Sequence, residues 1–397
     1  MNSLLVCYLF LSSFFFVHDN KEETLTETVE RGLQVSTEQS YILAKQLKDS
    51  ENLLPRTFEG GKLKTTDYKS WVSGFFPGLL WYLYENNTSG NMKTLAYNFT
   101  NRLELAKDMK GTHDLGFILY CSYGNGYRLT GNATFLKILE EGSKTLSMRF
   151  NKKVGAIKSW ESTKKWQFPV IIDNMMNLQL LTFTGKLVNN SNWINIATKH
   201  AHTTLINHFR PDNSCYHVVT YDSITGKAVS KQTHQGYSDH SSWSRGQAWA
   251  LYGFTMMYKE TKKKEFLVQA QKIATFIKNN SNLPEDKIPY WDFDAPDIPN
   301  TPRDASSAAI MASAFIELSL LDNSIKSKDW LDIAIKQIRS LSSSQYLATV
   351  GSNGGFILKH SVGNYNKNSE IDVPLTYADY YYVEALIRLK KYILNNK

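Results

Sequence analysis

The feature that most limits the fold of this sequence is a regular alternation between two kinds of predicted helix. One kind is apolar and aromatic along its whole length, and the other carries apolar residues on one face only. A helix that is apolar all round must be surrounded by protein, whereas a one-faced helix lies at the surface. Twelve such helices, taken in pairs, predict an all-α fold, an (α/α)6 barrel or toroid of six helical hairpins. A helix bundle with unrelated connections is the alternative.

The predicted helices follow from apolar spacing and from Thr-Gly stops. The one-faced helices are predicted at 35–49, 91–109, 133–150, 191–208, 263–280 and 327–345. The apolar helices are predicted at 70–87, 113–132, 171–186, 243–261, 305–321 and 375–394. Residues 215–231 alternate with a period of two around a Thr-Gly turn, which predicts a small β-hairpin insertion. We expect residues 19–397 to form a single (α/α)6 domain.

The first residues form an apolar run, 4–17, followed by a charged segment. That length suits the core of a signal peptide and is too short for a membrane span. We expect residues 1–18 to be a signal peptide, although no Lys or Arg precedes the run and no small-residue cleavage site follows it. The expected location is the periplasm or another exported compartment. Cys7 leaves with this segment, and Cys121 and Cys215 are too few for a disulfide framework or a thiolate zinc site.

The net charge of +8 and the pI of about 9.0 favour acidic partners. No basic run is dense enough for nucleic acid, because the lysines are scattered along polar helix faces. We therefore predict an anionic small or oligomeric substrate and no nucleic acid. Aromatic residues make up 13% of the chain, and such rings suit the faces of sugars, although most of them belong to a core.

Polar and aromatic side chains gather where the apolar helices start. In a toroid those starts converge on one mouth, so their repetition predicts a substrate pocket. The residues concerned are Trp71, His113, Asp114, Asp173, Trp243, Arg245, Arg303, Asp304, Tyr377 and Asp379. For Arg303 and Asp304 we expect a structural ion pair, and for Asp379 a helix cap or a partner for a neighbouring helix.

Two carboxylates, Asp114 and Asp173, are the candidate catalytic groups. Both stand among apolar residues, which disfavours the charged form and should raise the pKa towards a value useful for acid/base catalysis. A helix N-cap is the alternative for each. Since both lie at the same end of an inner helix, catalysis is favoured, and two carboxylates facing a sugar suggest glycoside chemistry.

Several further residues are predicted to bind substrate. Arg245, His217, Gln235 and Thr233 offer charge-assisted or neutral hydrogen bonds to a carboxylate or to hydroxyls. Trp71, Trp243 and Trp249 offer rings for stacking, with a place in the core as the alternative for Trp249. An exposed strand position is the alternative for His217. Either Ser241 or Ser242 is predicted to cap the helix that starts at Trp243.

The sequence also resembles a known family through long motifs. These are SWVSGFFPG, HDLGF with SYGNGYRLTGN, PVIIDNMMNL, THQGYSDHSSWSRGQAWALYG, PYWDFDAPDIPNTPRDASSAA and HSVGN followed by SEIDVPLTYADYY. With them the chain resembles glycoside hydrolase family 88, the unsaturated glucuronyl hydrolases, over nearly all of its length after residue 18. The family's (α/α)6 barrel agrees with the fold predicted above.

The resemblance implies a reaction and roles for individual residues. The substrate is an acidic oligosaccharide left by a polysaccharide lyase, and the enzyme hydrates the vinyl ether of its 4,5-unsaturated uronic acid. Asp173 matches the general acid/base, which protonates C4 and activates the water that adds at C5, and Asp114 matches the second essential carboxylate. Neither a metal nor a cofactor is implied. The matched binding positions are Trp71, His217, Gln235, Trp243, Arg245 and Trp249.

We expect the Gly-rich loop 352–364, which precedes the last apolar helix, to bind the second sugar of the substrate. Lys359, His360 and Ser361 lie in it, and basic and hydroxyl groups suit a sulfated sugar. This favours glycosaminoglycan fragments such as chondroitin or heparin disaccharides, with ulvan, gellan or xanthan fragments as alternatives.

Three other functions compete with this one. An unsaturated rhamnogalacturonyl hydrolase acting on pectin fragments has the same fold and chemistry, but the long motif from Thr233 argues against it. A non-catalytic glycan-binding protein is disfavoured because both Asp114 and Asp173 are present. A toroid lyase needs a Tyr-His-Arg group placed for β-elimination, and none is found.

Overall fold

The computed structural model describes residues 23–394. The predicted signal peptide 1–18, with Cys7, lies outside the described residues. Six outer helices carry the one-faced pattern: α1 (Leu25–Gln46), α3 (Gly90–Asn101), α5 (Ala133–Ser147), α7 (Ser191–Asn207), α9 (Lys264–Asn279) and α11 (Ser327–Leu341). The inner helices are α2 (Phe75–Asn87), a π-helical segment (Gly116–Gly124) continued by α4 (Asn125–Thr130), α6 (Asn174–Leu187), α8 (Ser244–Thr261), α10 (Ala305–Leu321) and α12 (Thr376–Leu389).

The inner helices form a closed ring. Each contacts the next one along the chain, and α12 returns to α2. The outer helices α3, α5, α7, α9 and α11 pack on the inner helices that precede them, and α1 packs on α12. The predicted (α/α)6 barrel is therefore confirmed.

Burial along the helices explains the two layers. In α10 every residue from Ala305 to Leu318 is buried, whereas in α11 burial recurs at helical spacing, from Trp330 through Ile333 and Gln337 to Leu341. Small residues let the inner helices approach closely: a Cβ at Gly116 would overlap the backbone of Asn177 on α6. Glycine at this position thus allows the π-helical segment and α6 to pack closely against each other.

Most of the predicted helices were found, with errors at their ends. The first helix begins at Leu25, ten residues before the predicted start, because Thr24 and Glu27 form a capping box. The Glu27 amide donates to Thr24 Oγ1 (3.2 Å), and the Thr24 amide donates to Glu27 Oε2 (2.7 Å). The helix predicted at 91–109 ends at Asn101 and is followed by a 3₁₀ turn, Glu104–Asp108.

Short antiparallel strands surround the ends of the helices. The predicted hairpin is present as β6 (Val218–Tyr221) and β7 (Ala228–Gln232), but it belongs to a three-stranded sheet with β5 (Pro169–Ile171). The described residues also contain three two-stranded sheets that were not predicted. They are β1 (Leu54–Glu59) with β2 (Lys62–Thr66), β3 (Phe150–Asn151) with β4 (Ala156–Ile157), and β8 (Ser361–Asn364) with β9 (Ser369–Val373). None of the helices between residues 23 and 394 is long and apolar enough to cross a membrane.

Candidate active site

Asp173 lies between strand β5 and helix α6. It occupies the N-cap position of α6, yet its side chain makes no capping hydrogen bond, so the helix-cap alternative is wrong for this residue. The residue is 7% exposed, and Oδ2 has no hydrogen-bond partner among the described residues. Burial raises its pKa to about 7; the Arg245 charge opposes this shift and the Asp114 carboxylate adds to it. The predicted rise in pKa is confirmed for Asp173.

Asp114 precedes the π-helical segment and is held by three neighbours. Its Oδ2 accepts from Thr112 Oγ1 (3.1 Å), and its Oδ1 accepts from Asn177 Nδ2 (3.3 Å). His113 Nε2 lies 3.3 Å from the same Oδ1, and burial lowers the pKa of this histidine. The Oδ1 of Asn177 also accepts from the backbone amide of Phe117 (2.8 Å). Sequence reasoning missed Asn177, which links α6 to the carboxylate.

His217 immediately precedes strand β6 and lies beside Asp173. Its Nε2 lies 3.6 Å from Asp173 Oδ2, and its ring packs 4.6 Å from that of Trp243. The Ile172 amide donates to the carbonyl of His217 (3.0 Å), so strand pairing sets the two side chains beside each other. The side chain is 1% exposed. An exposed strand position for His217 is therefore wrong.

Thr233 and Gln235 lie in the loop that follows β7. The backbone amide of Thr233 donates to Asp239 Oδ1 (2.7 Å), and Thr233 Oγ1 accepts from the amide of Gly236 (2.8 Å). Gln235 Oε1 accepts from Arg245 Nη2 (3.0 Å). The first two bonds stabilise the loop itself, and the third connects the loop to the first turn of α8.

Arg245 is buried in the first turn of α8. Its Nη1 lies 3.2 Å from Asp304 Oδ2 and also donates to the Val362 carbonyl, and its Nη2 donates to the Gly363 carbonyl at 2.6 Å. Both terminal nitrogens are thus bonded to protein groups, and the positive charge reaches Asp173 through space. The sequence did not predict that Asp304 and the two backbone carbonyls would be the partners of Arg245.

The predicted ion pair between Arg303 and Asp304 is wrong. Arg303 pairs with Asp286 instead, while Asp304 pairs with Arg245 and accepts from the amide of Ser306 (3.0 Å). Adjacent residues in an extended segment point to opposite sides. Asp304 consequently faces the barrel, whereas Arg303 faces the surface.

Aromatic rings line the centre of the barrel beside these groups. The Trp71 ring lies 4.9 Å from Tyr377 and 5.5 Å from Phe117, and Phe117 lies 5.1 Å from Trp249. Trp249 is fully buried, as its core alternative requires. Its indole also lowers the pKa of the Asp173 carboxyl, which partly offsets the rise caused by burial. Tyr377, predicted only as a helix-start residue, packs 5.3 Å from the Arg245 guanidinium, and its hydroxyl has no hydrogen-bond partner among residues 23–394.

Ser361 begins strand β8 and is buried, with no partner for its hydroxyl in the described part of the chain. Its neighbours are engaged elsewhere: Lys359 Nζ donates to the Ser344 carbonyl (2.7 Å), and His360 Nδ1 lies 2.6 Å from Asp372 Oδ1. Asp379 supports the loop before them.

Asp379 has a structural part, as predicted, but it is neither a helix cap nor a partner for a neighbouring helix. It accepts from the amides of Ile357 (2.9 Å) and Leu358 (2.8 Å), so its partner is the Gly-rich loop. The predicted cap of α8 is also wrong. Trp243 is the N-cap residue and makes no side-chain cap bond, and Ser241 Oγ donates to Asp292 Oδ2 (2.8 Å).

The geometry thus joins one buried and one partly exposed carboxylate, an imidazole, a guanidinium and an aromatic wall at one end of the barrel. A family model described as Glycosyl Hydrolase Family 88 matches residues 55–394. The chain belongs to glycoside hydrolase family 88.

Relatives of this family 88 chain agree with that assignment. An unsaturated glucuronyl hydrolase of Formosa agariphila is 46% identical over 82% of this chain and 81% of its own. An unsaturated chondroitin disaccharide hydrolase of Streptococcus agalactiae is 32% identical over 91% of this chain and 92% of its own. The crystal structure of an unsaturated glucuronyl hydrolase specific for heparin is similar with a TM-score of 0.90 and 47% identity, covering 94% of this chain and 98% of that one.

The enzyme of Bacillus sp. GL1, whose structure is described as responsible for degradation of glycosaminoglycan, aligns with a TM-score of 0.84 and 26% identity. That alignment covers 93% of this chain and 97% of the Bacillus chain. The predicted family and the predicted enzyme class, an unsaturated glucuronyl hydrolase, are confirmed. The roles of the individual residues stay predictions.

Proposed function

We propose that this enzyme uses Asp173 as its general acid and base to hydrate the double bond of a terminal unsaturated uronic acid. The observation that carries the proposal is a buried carboxyl at the mouth of the barrel with an unpartnered oxygen and a pKa of about 7. Such an acid is protonated near neutral pH and can give its proton to carbon.

In the proposed reaction Asp173 protonates C4, and the resulting carboxylate takes a proton from the water that adds at C5. The hemiketal formed in this way collapses, the ring opens and the remaining saccharide leaves. Asp114 contacts the ring hydroxyls, since its position beside Asn177 and His113 leaves its side chain 20% exposed. Trp71 forms a wall of the same subsite, and Arg245 supplies positive charge.

The proposed substrates are unsaturated oligosaccharides of glycosaminoglycan type, produced by a polysaccharide lyase acting upstream. The names of the relatives support this: heparin for one solved structure and chondroitin disaccharide for the Streptococcus agalactiae enzyme. A mutant of an enzyme from that organism has also been crystallised with dGlcA-GalNAc6S. In this chain the unpartnered Ser361 hydroxyl is the group proposed to meet the second sugar.

The test follows the ultraviolet absorbance of the conjugated double bond with unsaturated heparin and chondroitin disaccharides. Wild-type enzyme should remove the band, and Asp173→Asn should be at least ~10²-fold slower because an amide cannot donate the proton. Asp286→Asn, at the surface, is the control and should keep full activity. Turnover of pectin-derived fragments alone would favour a rhamnogalacturonyl hydrolase instead. An active Asp173→Asn enzyme would show that Asp173 is not the general acid.

We also propose that the enzyme is exported, on the strength of the apolar run 4–17. Cell fractionation should find the protein outside the cytoplasm, and a chain that starts at residue 19 should stay inside. Equal distribution of the two would contradict export by this segment.

A further inference from the structure

His217 is held in an unusual way by the loop that follows β7. Its Nδ1 accepts two backbone hydrogen bonds, from the amides of His234 and Gln235, both at 3.1 Å. A backbone N–H always donates, so Nδ1 must present a lone pair. In a neutral imidazole the single proton then sits on Nε2.

The remaining nitrogen points at the proposed catalytic acid. His217 Nε2 and Asp173 Oδ2 are 3.6 Å apart, and neither atom has another hydrogen-bond partner in the part of the chain described. A closure of about 0.5 Å makes this a hydrogen bond of ordinary length. The donor and the acceptor are therefore close to each other and have no competing partner among the described residues.

We propose that His217 is a positioning residue: it keeps its proton on Nε2 throughout the reaction and stabilises the Asp173 carboxylate that forms when the acid gives up its proton. This rests on the role proposed for Asp173 above. In that step the O–H bond of Asp173 breaks and its electron pair stays on the carboxylate, while the π pair of the C4=C5 double bond forms the new C4–H bond and leaves positive charge at C5, where the water adds. The Nε2–H bond of His217 is neither broken nor made.

Keeping the histidine neutral agrees with its surroundings. Burial lowers its pKa well below the ordinary value, and four nearby cationic or ionisable groups act in the same direction. They come from the loop after β7, from α8, from the end of α7 and from the segment before the π-helix, and are His234, Arg245, His208 and His113. The charged groups that act on Asp173 are Arg245 and Asp114. All of them are unchanged in the variants below.

Two variants of His217 separate its two ring nitrogens. In His217→Asn the amide oxygen can replace Nδ1 and hold the loop, but nothing reaches Asp173. In His217→Gln the longer side chain can place an N–H near the position of Nε2. A hydrogen bond to a carboxylate lowers its pKa, so its loss raises the pKa of Asp173. The alkaline limb of the kcat profile should shift up by about one pH unit in His217→Asn, with kcat about tenfold lower, and stay within a few tenths of a unit in His217→Gln.

A second measurement does not depend on activity. In ¹⁵N-histidine-labelled wild-type protein, the His217 resonances, assigned by their absence from His217→Gln, should show a protonated Nε2 and a bare Nδ1 from pH 5 to 8. A proton on Nδ1 would overturn the inference. So would identical pH profiles for the Asn and Gln variants, even if Asp173→Asn is inactive as expected. An active Asp173→Asn enzyme would instead refute the acid itself, while the tautomer stays measurable.

Discussion

Arg245 Nη1 lies 3.2 Å from Asp304 Oδ2, and neither side chain is more than 2% exposed. Removing one partner of such a pair leaves a charge buried without compensation. Asp304→Asn should therefore lower the free energy of unfolding by about 3 kcal/mol. Urea denaturation followed by circular dichroism measures this loss.

Asp286→Asn is the matched control for that variant. It breaks the ion pair of Asp286 with Arg303, whose side chains are 33% and 23% exposed. Pairs nearer the surface contribute below about 1 kcal/mol. Equal losses in the two variants would mean that burial of the Arg245 pair has no special cost.

The activity should fall as the pH rises through the pKa of Asp173, about 7. Only the protonated form can donate to C4, so kcat should be constant at lower pH and decline about tenfold per unit well above 7. Initial rates at saturating substrate between pH 5.5 and 9, with circular dichroism to check folding, measure this. A kcat that rises between pH 7 and 8 would show that the ionised carboxylate is the active form.

The His208 side chain should make the protein less stable in acid. It is fully buried, both ring nitrogens lack partners among the described residues, and burial lowers its pKa to about 3. Unfolded histidine titrates near 6.5, so between about 6.5 and 3 the unfolded chain binds a proton that the folded chain does not. Stability from this group is therefore present above 6.5 and is lost as the pH falls.

His208→Phe removes that titration while keeping a flat ring. At pH 5 the variant should recover about 2 kcal/mol of unfolding free energy relative to its difference from wild type at pH 8. At pH 8 the imidazole is neutral in both states, so that difference reports packing alone. An unchanged dependence on pH would mean that His208 is solvated in the folded protein.

The Ser361 hydroxyl should matter for substrate and not for folding. It is buried with no partner in residues 23–394, so Ser361→Ala removes no protein hydrogen bond and should leave the unfolding free energy nearly unchanged. KM for the disaccharide should rise by up to about tenfold, the value of one hydrogen bond. Ser306→Ala is the control, because Ser306 Oγ donates to Asp304 (2.6 Å) and its loss should cost about 1 kcal/mol. A KM unchanged in Ser361→Ala would place the second sugar elsewhere.

The toroid was predictable from local patterns, because a helix such as α10 that is apolar on every side has to be enclosed. Asp173 and Asp114 were also chosen as candidates from the sequence, since each combines a carboxylate with an apolar start of an inner helix. The alternation of apolar and one-faced helices and the types of side chain are local properties of the sequence. They can be recognised without knowing how the rest of the chain folds.

What only the tertiary structure decided is which groups meet. Arg245 pairs with Asp304, 59 residues away, and its other partners are backbone carbonyls, which every residue possesses and which therefore leave no mark in the sequence. The pairing of β5 with β6 brings His217 to Asp173, although a strand of three residues shows no usable period. The sequence identifies the residues capable of chemistry, but the distances between them depend on close packing and strand register. Those distances in turn set the pKa of Asp173.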